Sequence, residues 1–207
     1  MLSRTGWSTC GKKSASEARS ATLPPVTSTL LYLHLLSLSA LLMNAGAVHI
    51  LEIRAGLAQS VGEARGALRA GVALGPVFGI GSALLVVTGM TLARHEGYSL
   101  GSGWIVLSFI ALVVINGVGA GFAAPRVKRA ADQLEGEGSL SPDQRQLVHD
   151  RSVSVAGWFN TCVALSIVLL MVGKPAVGGC VLVLLLGAAI GVGLGLLQHS
   201  LLARANA

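Results

Sequence analysis

Charged residues are scarce in this chain of 207 residues. Only 12% are Asp, Glu, Lys or Arg and only 4% are aromatic, whereas soluble domains carry about 25% charged residues. Hydrophobic residues make up 53%. This balance excludes an ordinary soluble domain and favours a chain whose solvent is largely lipid.

Two common motifs of soluble enzymes are missing as well. The sequence has no Walker phosphate-binding loop and no HExxH zinc motif. Its net charge of +6 comes without the aromatic and basic platform that nucleic-acid binding needs. Cys10, Cys162 and Cys180 have neither CxxC nor Cys/His spacing, so we expect no disulfide framework, no metal site and no nucleic-acid partner.

Long apolar runs are what the sequence does contain. A bilayer core of about 30 Å needs about 20 apolar residues of helix, and five runs reach that length: 26–50, 71–93, 104–124, 153–172 and 176–198. None of them contains a charged residue. We therefore predict an all-α, polytopic transmembrane helical bundle of five spans, with a four-helix core, one added C-terminal span and the lipid bilayer as partner.

The chain divides into three parts on this interpretation. Residues 1–25 form a basic, Ser-rich tail that we expect to be disordered, residues 26–201 form the bundle, and residues 202–207 form a short cytoplasmic tail. The alternative is a secretory signal, with Ala45-Gly46-Ala47 as its cleavage site. Pro125 is expected to end the third span, and Ser141 to cap a helix in the hydrophilic loop that follows.

The distribution of Lys and Arg predicts the orientation. The loops after the first and third spans and the C-terminus hold nine of these residues, whereas the opposite side and the N-terminal tail hold six. Basic residues favour the cytoplasmic side of a membrane. We expect a bacterial inner-membrane protein with its N-terminus outside and its C-terminus in the cytoplasm.

Three asparagines lie at similar depth in three different spans. Asn44, Asn116 and Asn160 are each about 9 to 12 Å from the predicted inner boundary. The favoured interpretation is hydrogen bonding between helices. The alternative is a polar cavity, which would suit a small-solute permease or a transporter accessory subunit.

Two histidines share the first span. His34 and His49 are separated by 15 residues, about 22 Å along a helix, so they cannot bind one metal ion. We expect His49 to be an ordinary residue at the inner boundary of the membrane. His34 is predicted to be buried, where an imidazole can bond a neighbouring helix, ligate haem iron or relay a proton, and Lys174 lies on the same side of the membrane.

Glycines recur at four-residue spacing along three spans. Gly187, Gly191 and Gly195 do so in the fifth span, and the pairs Gly117/Gly121 and Gly75/Gly79 do so in the third and second. Such faces allow close helix packing. They predict a compact bundle, and the fifth-span stripe offers a surface for a homo-oligomer.

Several short motifs carry a family resemblance. They are Leu33-His34 with Gly46, Pro76 before Val87-Thr88-Gly89, Trp104, and Met171-Val-Gly-Lys-Pro175. Over residues 32–175 the chain resembles a domain-of-unknown-function family of bacterial integral membrane proteins. Its layout is similar to the membrane protoporphyrinogen oxidase and copper-resistance D families.

The resemblance to the protoporphyrinogen oxidase family carries a functional implication. It implies that His34 and Lys174 are functional and that haem is a candidate cofactor. The leading hypothesis is nevertheless a non-catalytic or uncharacterised membrane bundle. The alternatives are a haem- or porphyrin-handling redox protein, which as an enzyme would be an oxidoreductase of that type, and the permease.

Overall fold

The computed structural model describes residues 25–205, and 86% of the structure is helical. In chain order its helices, with one π-helical segment between α4 and α5, are α1 Pro25–Gly56, α2 Val61–Ala73, α3 Gly75–His95, α4 Gly103–Asn116, π Gly117–Ala123, α5 Ala124–Gln133, α6 Pro142–Val148, α7 Arg151–Gly173 and α8 Val177–Ala205. The predicted N-terminal tail lies outside the described residues.

These helices form five units that are long and apolar enough to cross a bilayer: Val26–Gly56, Val61–His95, Gly103–Gln133, Pro142–Gly173 and Val177–Ala205. Their outward faces carry exposed apolar side chains such as Met43, Val172 and Leu185. Apolar side chains in this number are stable only against lipid or a partner protein. The predicted five-span, all-α bundle is confirmed.

The second unit consists of two helices that meet at Leu74. α2 ends at Ala73 and α3 begins at Gly75, with Pro76 in its first turn. Asn44 Nδ2 donates to the Leu74 carbonyl at 3.2 Å. This carbonyl also accepts from Phe78 N–H at 3.4 Å, so the asparagine adds a second hydrogen bond where the two helices meet.

The prediction that Pro125 ends the third span is wrong. The α4 helix widens into a π-helix over Gly117–Ala123, and α5 then continues through Pro125 to Gln133. Proline is tolerated in the first turn of a helix, because its missing N–H would have had no intrahelical partner there. The π segment restarts the hydrogen-bond pattern just before the proline.

A small apolar core closes one end of the bundle, which we call the basic end because the arginine-rich loops meet there. The residues between the third and fourth spans pack with the end of α1 and with α2, burying Ala55, Val61, Ala64, Ala131 and Leu134. Val61 N–H donates to the Gly138 carbonyl at 2.9 Å. The predicted cap is confirmed, because Ser141 and Gln144 form a capping box.

The membrane core lies between α1, α3, α4 and α7. Its buried side chains include Leu41, Leu85, Ile115, Val163 and Ile167. α8 packs along α7 and touches α4, whereas α3 and α4 touch only weakly. A cleft of about 440 Å³ therefore remains between α3 and α4, lined mostly by apolar residues.

The glycine stripe of α8 packs against α7 within the same chain. A Cβ at Gly191 would lie 2.7 Å from Phe159 Cα, and one at Gly195 would lie 2.5 Å from Val155 Cα. Gly187 is likewise buried, beside Ser166. The stripe is thus covered inside one chain, and a homo-oligomer stays a prediction.

The other two glycine pairs do not make such close contacts. A Cβ at any of their four positions would meet nothing within 4 Å: Gly75, Gly79, Gly117 and Gly121. Equal spacing therefore does not imply equal packing.

We expect Gly191→Ala to lower the free energy of unfolding by about 1 to 3 kcal/mol, because the added methyl group would overlap the α7 backbone. Gly193→Ala is the matched control, since a Cβ there meets nothing within 4 Å. The control should be neutral or stabilising by up to about 1 kcal/mol. Reversible unfolding in mixed micelles measures both, and equal stabilities would contradict the tight α7–α8 contact.

Candidate functional site

His34 is buried between α1 and α3, with 7% of its surface exposed. Its Nδ1 lies 3.1 Å from Thr88 Oγ1, and that hydroxyl donates its own proton to the Leu84 carbonyl at 2.7 Å. The threonine must therefore accept, so Nδ1 carries the proton and Nε2 keeps a lone pair in the neutral ring. Gly89 makes room for the imidazole, because a Cβ there would lie 2.9 Å from His34 Cε1.

Lys174 has a different set of partners at the α3–α4 connection. Its Nζ donates to the Tyr98 hydroxyl at 2.5 Å and lies 4.3 Å from the Tyr98 ring centroid and 5.8 Å from that of Trp104. The residue is the left-handed cap of α7, with φ 44°. It is therefore an anchored cation at an exposed turn.

His34 and Lys174 lie toward the same end of the bundle, but no contact joins them in the described chain. Thr88, the partner of His34, is seven residues before the end of α3 at His95, about 10 Å along the axis. Lys174 contacts residues beyond that end. The structure thus gives each residue separate neighbours.

The three asparagines also face different neighbours. Asn44 bonds the Leu74 carbonyl, and Asn116 Nδ2 bonds the Leu112 carbonyl of its own helix at 2.8 Å. Asn160 packs against the π-helical segment, where a Cβ on Gly119 would lie 3.1 Å from its Nδ2. Of the three, Asn116 alone lines the cleft between α3 and α4, so the amides do not share that space.

The best-connected polar group of the bundle surrounds His49. His49 is buried, with 8% of its surface exposed, and its Nε2 lies 2.9 Å from Thr161 Oγ1. That hydroxyl donates to the Gly157 carbonyl at 3.1 Å, so Nε2–H is the donor to threonine. Gly157 also makes room for the ring, because a Cβ there would lie 3.2 Å from His49 Cε1.

Glu52 joins this group one turn further along α1. Its Oε2 lies 3.8 Å from His49 Nδ1, and its Oε1 accepts a hydrogen bond from the Ser154 hydroxyl. Its side chain is only 14% exposed. The first apolar run ends at residue 50, but α1 continues to Gly56 and carries this carboxylate into the contact with α7.

Trp158 covers the imidazole and links it to α8. The two rings stack with centroids 4.4 Å apart, and the indole Nε1–H donates to Gln198 Oε1 at 2.6 Å. We call the whole set the polar centre; its members are His49, Glu52, Ser154, Trp158, Thr161 and Gln198. It ties α1, α7 and α8 together near the basic end.

The electrostatics of the polar centre depend on the Nδ1 atom of His49. With Nε2 protonated, Nδ1 of neutral His49 presents a lone pair, and it has no hydrogen-bond partner among the described residues. A lone pair that faces an ionised carboxylate is repulsive. Nδ1 and Glu52 Oε2 are 3.8 Å apart, which is too far for a hydrogen bond but close enough for an ion pair when the ring carries a second proton.

Two other features of the described chain bear on chemistry. Residues 97–101 match the GxSxG pattern of a nucleophile elbow, but they form the turn between two helices, whereas the elbow joins a strand to a helix. Over residues 25–205 no three His, Cys, Asp or Glu side chains converge as metal ligands.

Residues 28–175 match the model of a family described as predicted integral membrane protein (DUF2269). The chain belongs to this family. The match covers the first four spanning units and stops before α8, in agreement with the predicted four-helix core and added span. No curated protein and no solved structure matched the chain.

Membership in the DUF2269 family supports an uncharacterised membrane domain and gives no further activity. The similarity to the protoporphyrinogen oxidase and copper-resistance D families stays a prediction. Within the polar centre, Gln198 alone lies outside the matched residues, and the other five members lie inside them. The added span therefore contributes one partner to a centre built from the family domain.

We expect Thr88→Val to destabilise the bundle by about 0.6 to 2 kcal/mol, because it removes the acceptor for His34 Nδ1–H in a buried site. Thr91→Val is the matched control, since the exposed Thr91 hydroxyl bonds only the carbonyl of Val87 on its own helix. Unfolding of both variants in micelles checks the difference. Equal losses would show that the bond between the helices adds nothing.

Proposed function

We propose that this protein is an inner-membrane helical bundle that binds and releases a proton at the His49–Glu52 pair. One observation carries the proposal: Nδ1 of a buried imidazole lacks a hydrogen-bond partner and lies 3.8 Å from a carboxylate that is itself mostly buried. Ionisable side chains at membrane depth commonly mark proton pathways. The proton is the ligand that this geometry fits.

Each state of the pair has a physical role for its neighbours. In the protonated state Nδ1–H forms an ion pair with Glu52 while Nε2–H donates to Thr161, so both ring nitrogens have a partner. The face of Trp158 stabilises the imidazolium charge. Loss of the proton leaves two acceptors facing each other, which weakens the contact of α1 with α7. Protonation is thereby coupled to helix packing.

The orientation that we propose places the basic end in the cytoplasm. The excess of Lys and Arg in the loops of that end supports it. Glu52 is two residues before Arg54, and Ser154 is three residues after Arg151. Protons would then exchange with the cytoplasmic side through the first turns of α7.

A second candidate function is haem or porphyrin handling through His34. Thr88 fixes the tautomer of this imidazole and leaves its Nε2 as an unprotonated ligand atom. Lys174 does not complete such a site, because its ammonium group is engaged by Tyr98. Bound haem would supply redox chemistry, and His34 would hold it alone.

The fluorescence of Trp158 should report the proton. We expect its emission to fall as the pH is lowered from about 9 to about 5, because a protonated imidazole stacked on indole quenches it. Trp7→Phe and Trp104→Phe leave Trp158 as the sole tryptophan of the chain. His49→Gln should abolish the step, and Glu52→Gln should alter it, because that variant removes the carboxylate that lies 3.8 Å from the imidazole.

His34→Gln in the same background is the control for the fluorescence step. It changes an imidazole of α1 that bonds α3 and has no carboxylate beside it in any described contact. The step should keep its midpoint in this variant. A step that survives His49→Gln, or that ignores Glu52→Gln, would contradict the proposed proton site.

Absorption spectroscopy tests the haem candidate. Purified protein supplied with haem should show a Soret band that His34→Ala removes and Lys174→Ala leaves intact. Colourless protein, or a band unchanged in His34→Ala, would exclude this function without touching the proton proposal.

A further inference from the structure

A second polar cavity lies at the basic end, outside the polar centre. It is a cleft of about 440 Å³ between α5 and the segment that joins α6 to α7. Its polar lining consists mainly of basic and amide side chains: Arg126, Arg129, Gln133, Gln146, His149 and Arg151. Neither the His49–Glu52 pair nor the haem candidate uses this space.

The positive charge of the cleft is not neutralised by the chain. Asp150 is its one acidic residue, and Oδ1 of that carboxylate caps α7 by accepting from Ser152 N and Oγ at 2.8 and 2.5 Å. Its Oδ2 lies 4.0 Å from Arg126 Nε. The cleft therefore has three arginines and one carboxylate, and that carboxylate already caps a helix.

Arg126 is held in place, while two other arginines are available. The Arg126 guanidinium lies 3.6 Å from the Phe122 ring centroid, and its Nη1 donates to the Phe122 carbonyl at 3.0 Å. Arg129 and Arg151 are exposed. In the described chain neither makes a hydrogen bond or ion pair, so their planar donor groups are free to bind an anion.

We propose that this cleft binds a phosphate group. Arginine guanidinium groups bind phosphate oxygens through pairs of hydrogen bonds, and two free guanidinium groups that line one cleft suit one tetrahedral anion. Its volume accommodates a phosphate with an attached polar group, and Gln133 and Gln146 supply further donors.

Two sources can supply this chemistry. The cleft lies between the third and fourth spanning units, and Leu147 adds an exposed apolar side chain at its wall. In the orientation that we propose, lipid head groups would lie beside this end of the bundle. The arginines would form the same hydrogen bonds with the phosphodiester of an anionic phospholipid and with a free phosphate anion. The experiment separates them.

Binding of phosphatidylglycerol, phosphatidylcholine and inorganic phosphate to the full chain in detergent micelles tests the proposal. We expect the double variant Arg129→Gln/Arg151→Gln to weaken binding about tenfold or more. Arg129→Lys/Arg151→Lys keeps the charge but loses the fork, so it should give an intermediate loss. Lys128→Gln/Arg69→Gln removes the same charge at exposed positions outside the cleft and should bind like the unmodified protein.

The three probes identify the source. Tight binding of phosphatidylglycerol alone supports a lipid head group, whereas tight binding of inorganic phosphate, with or without the lipid, supports a phosphate site that accepts soluble anions. Equal weakening in the cleft and control variants would show only general attraction of anions and would overturn the proposal. So would the absence of binding by all three probes.

Discussion

The structure depends on one constraint: a polar side chain that is buried in hydrocarbon needs a hydrogen-bond partner. α1 satisfies this constraint twice, each time with the same arrangement of hydrogen bonds. Each buried imidazole donates to a threonine hydroxyl, and each hydroxyl donates to the carbonyl four residues earlier in its own helix. His34 joins α1 to α3 in this way, and His49 joins α1 to α7. The two histidines thereby set the register of the first helix.

Small residues allow the helices to approach closely enough to form these polar contacts. Gly89 and Gly157 leave room for the two imidazole rings, and the glycine stripe of α8 brings Gln198 close enough to bond Trp158. Hydrogen bonding and close packing are therefore one arrangement, as is common for membrane helices. The two imidazoles differ in what lies beside them. His49 has a carboxylate one turn away, whereas His34 has none in any described contact, and this difference makes the His49 site the one that fits a proton.

The sequence predicted the spans and several turns because they follow from local patterns of apolar length, proline and capping residues. It placed His34 correctly in a buried site and treated His49 as an ordinary boundary residue. That interpretation placed His49 beside Glu52 at the inner membrane boundary, where an ionisable side chain needs no special role. The spacing of His49 and Glu52, three residues apart on one helix face, was the available signal. Which helix meets that face depends on tertiary packing, and so does the small core at the basic end.

Nitrogen NMR of ¹⁵N-histidine-labelled protein in lipid nanodiscs measures the tautomer of His49 directly. The resonances are assigned by their loss in His49→Gln. We expect a ring that is protonated only at Nε2 at alkaline pH and that gains a proton at Nδ1 on acidification while the Nε2–H is retained. A ring that is protonated at Nδ1 under alkaline conditions, or a spectrum that does not change with pH, would contradict this expectation.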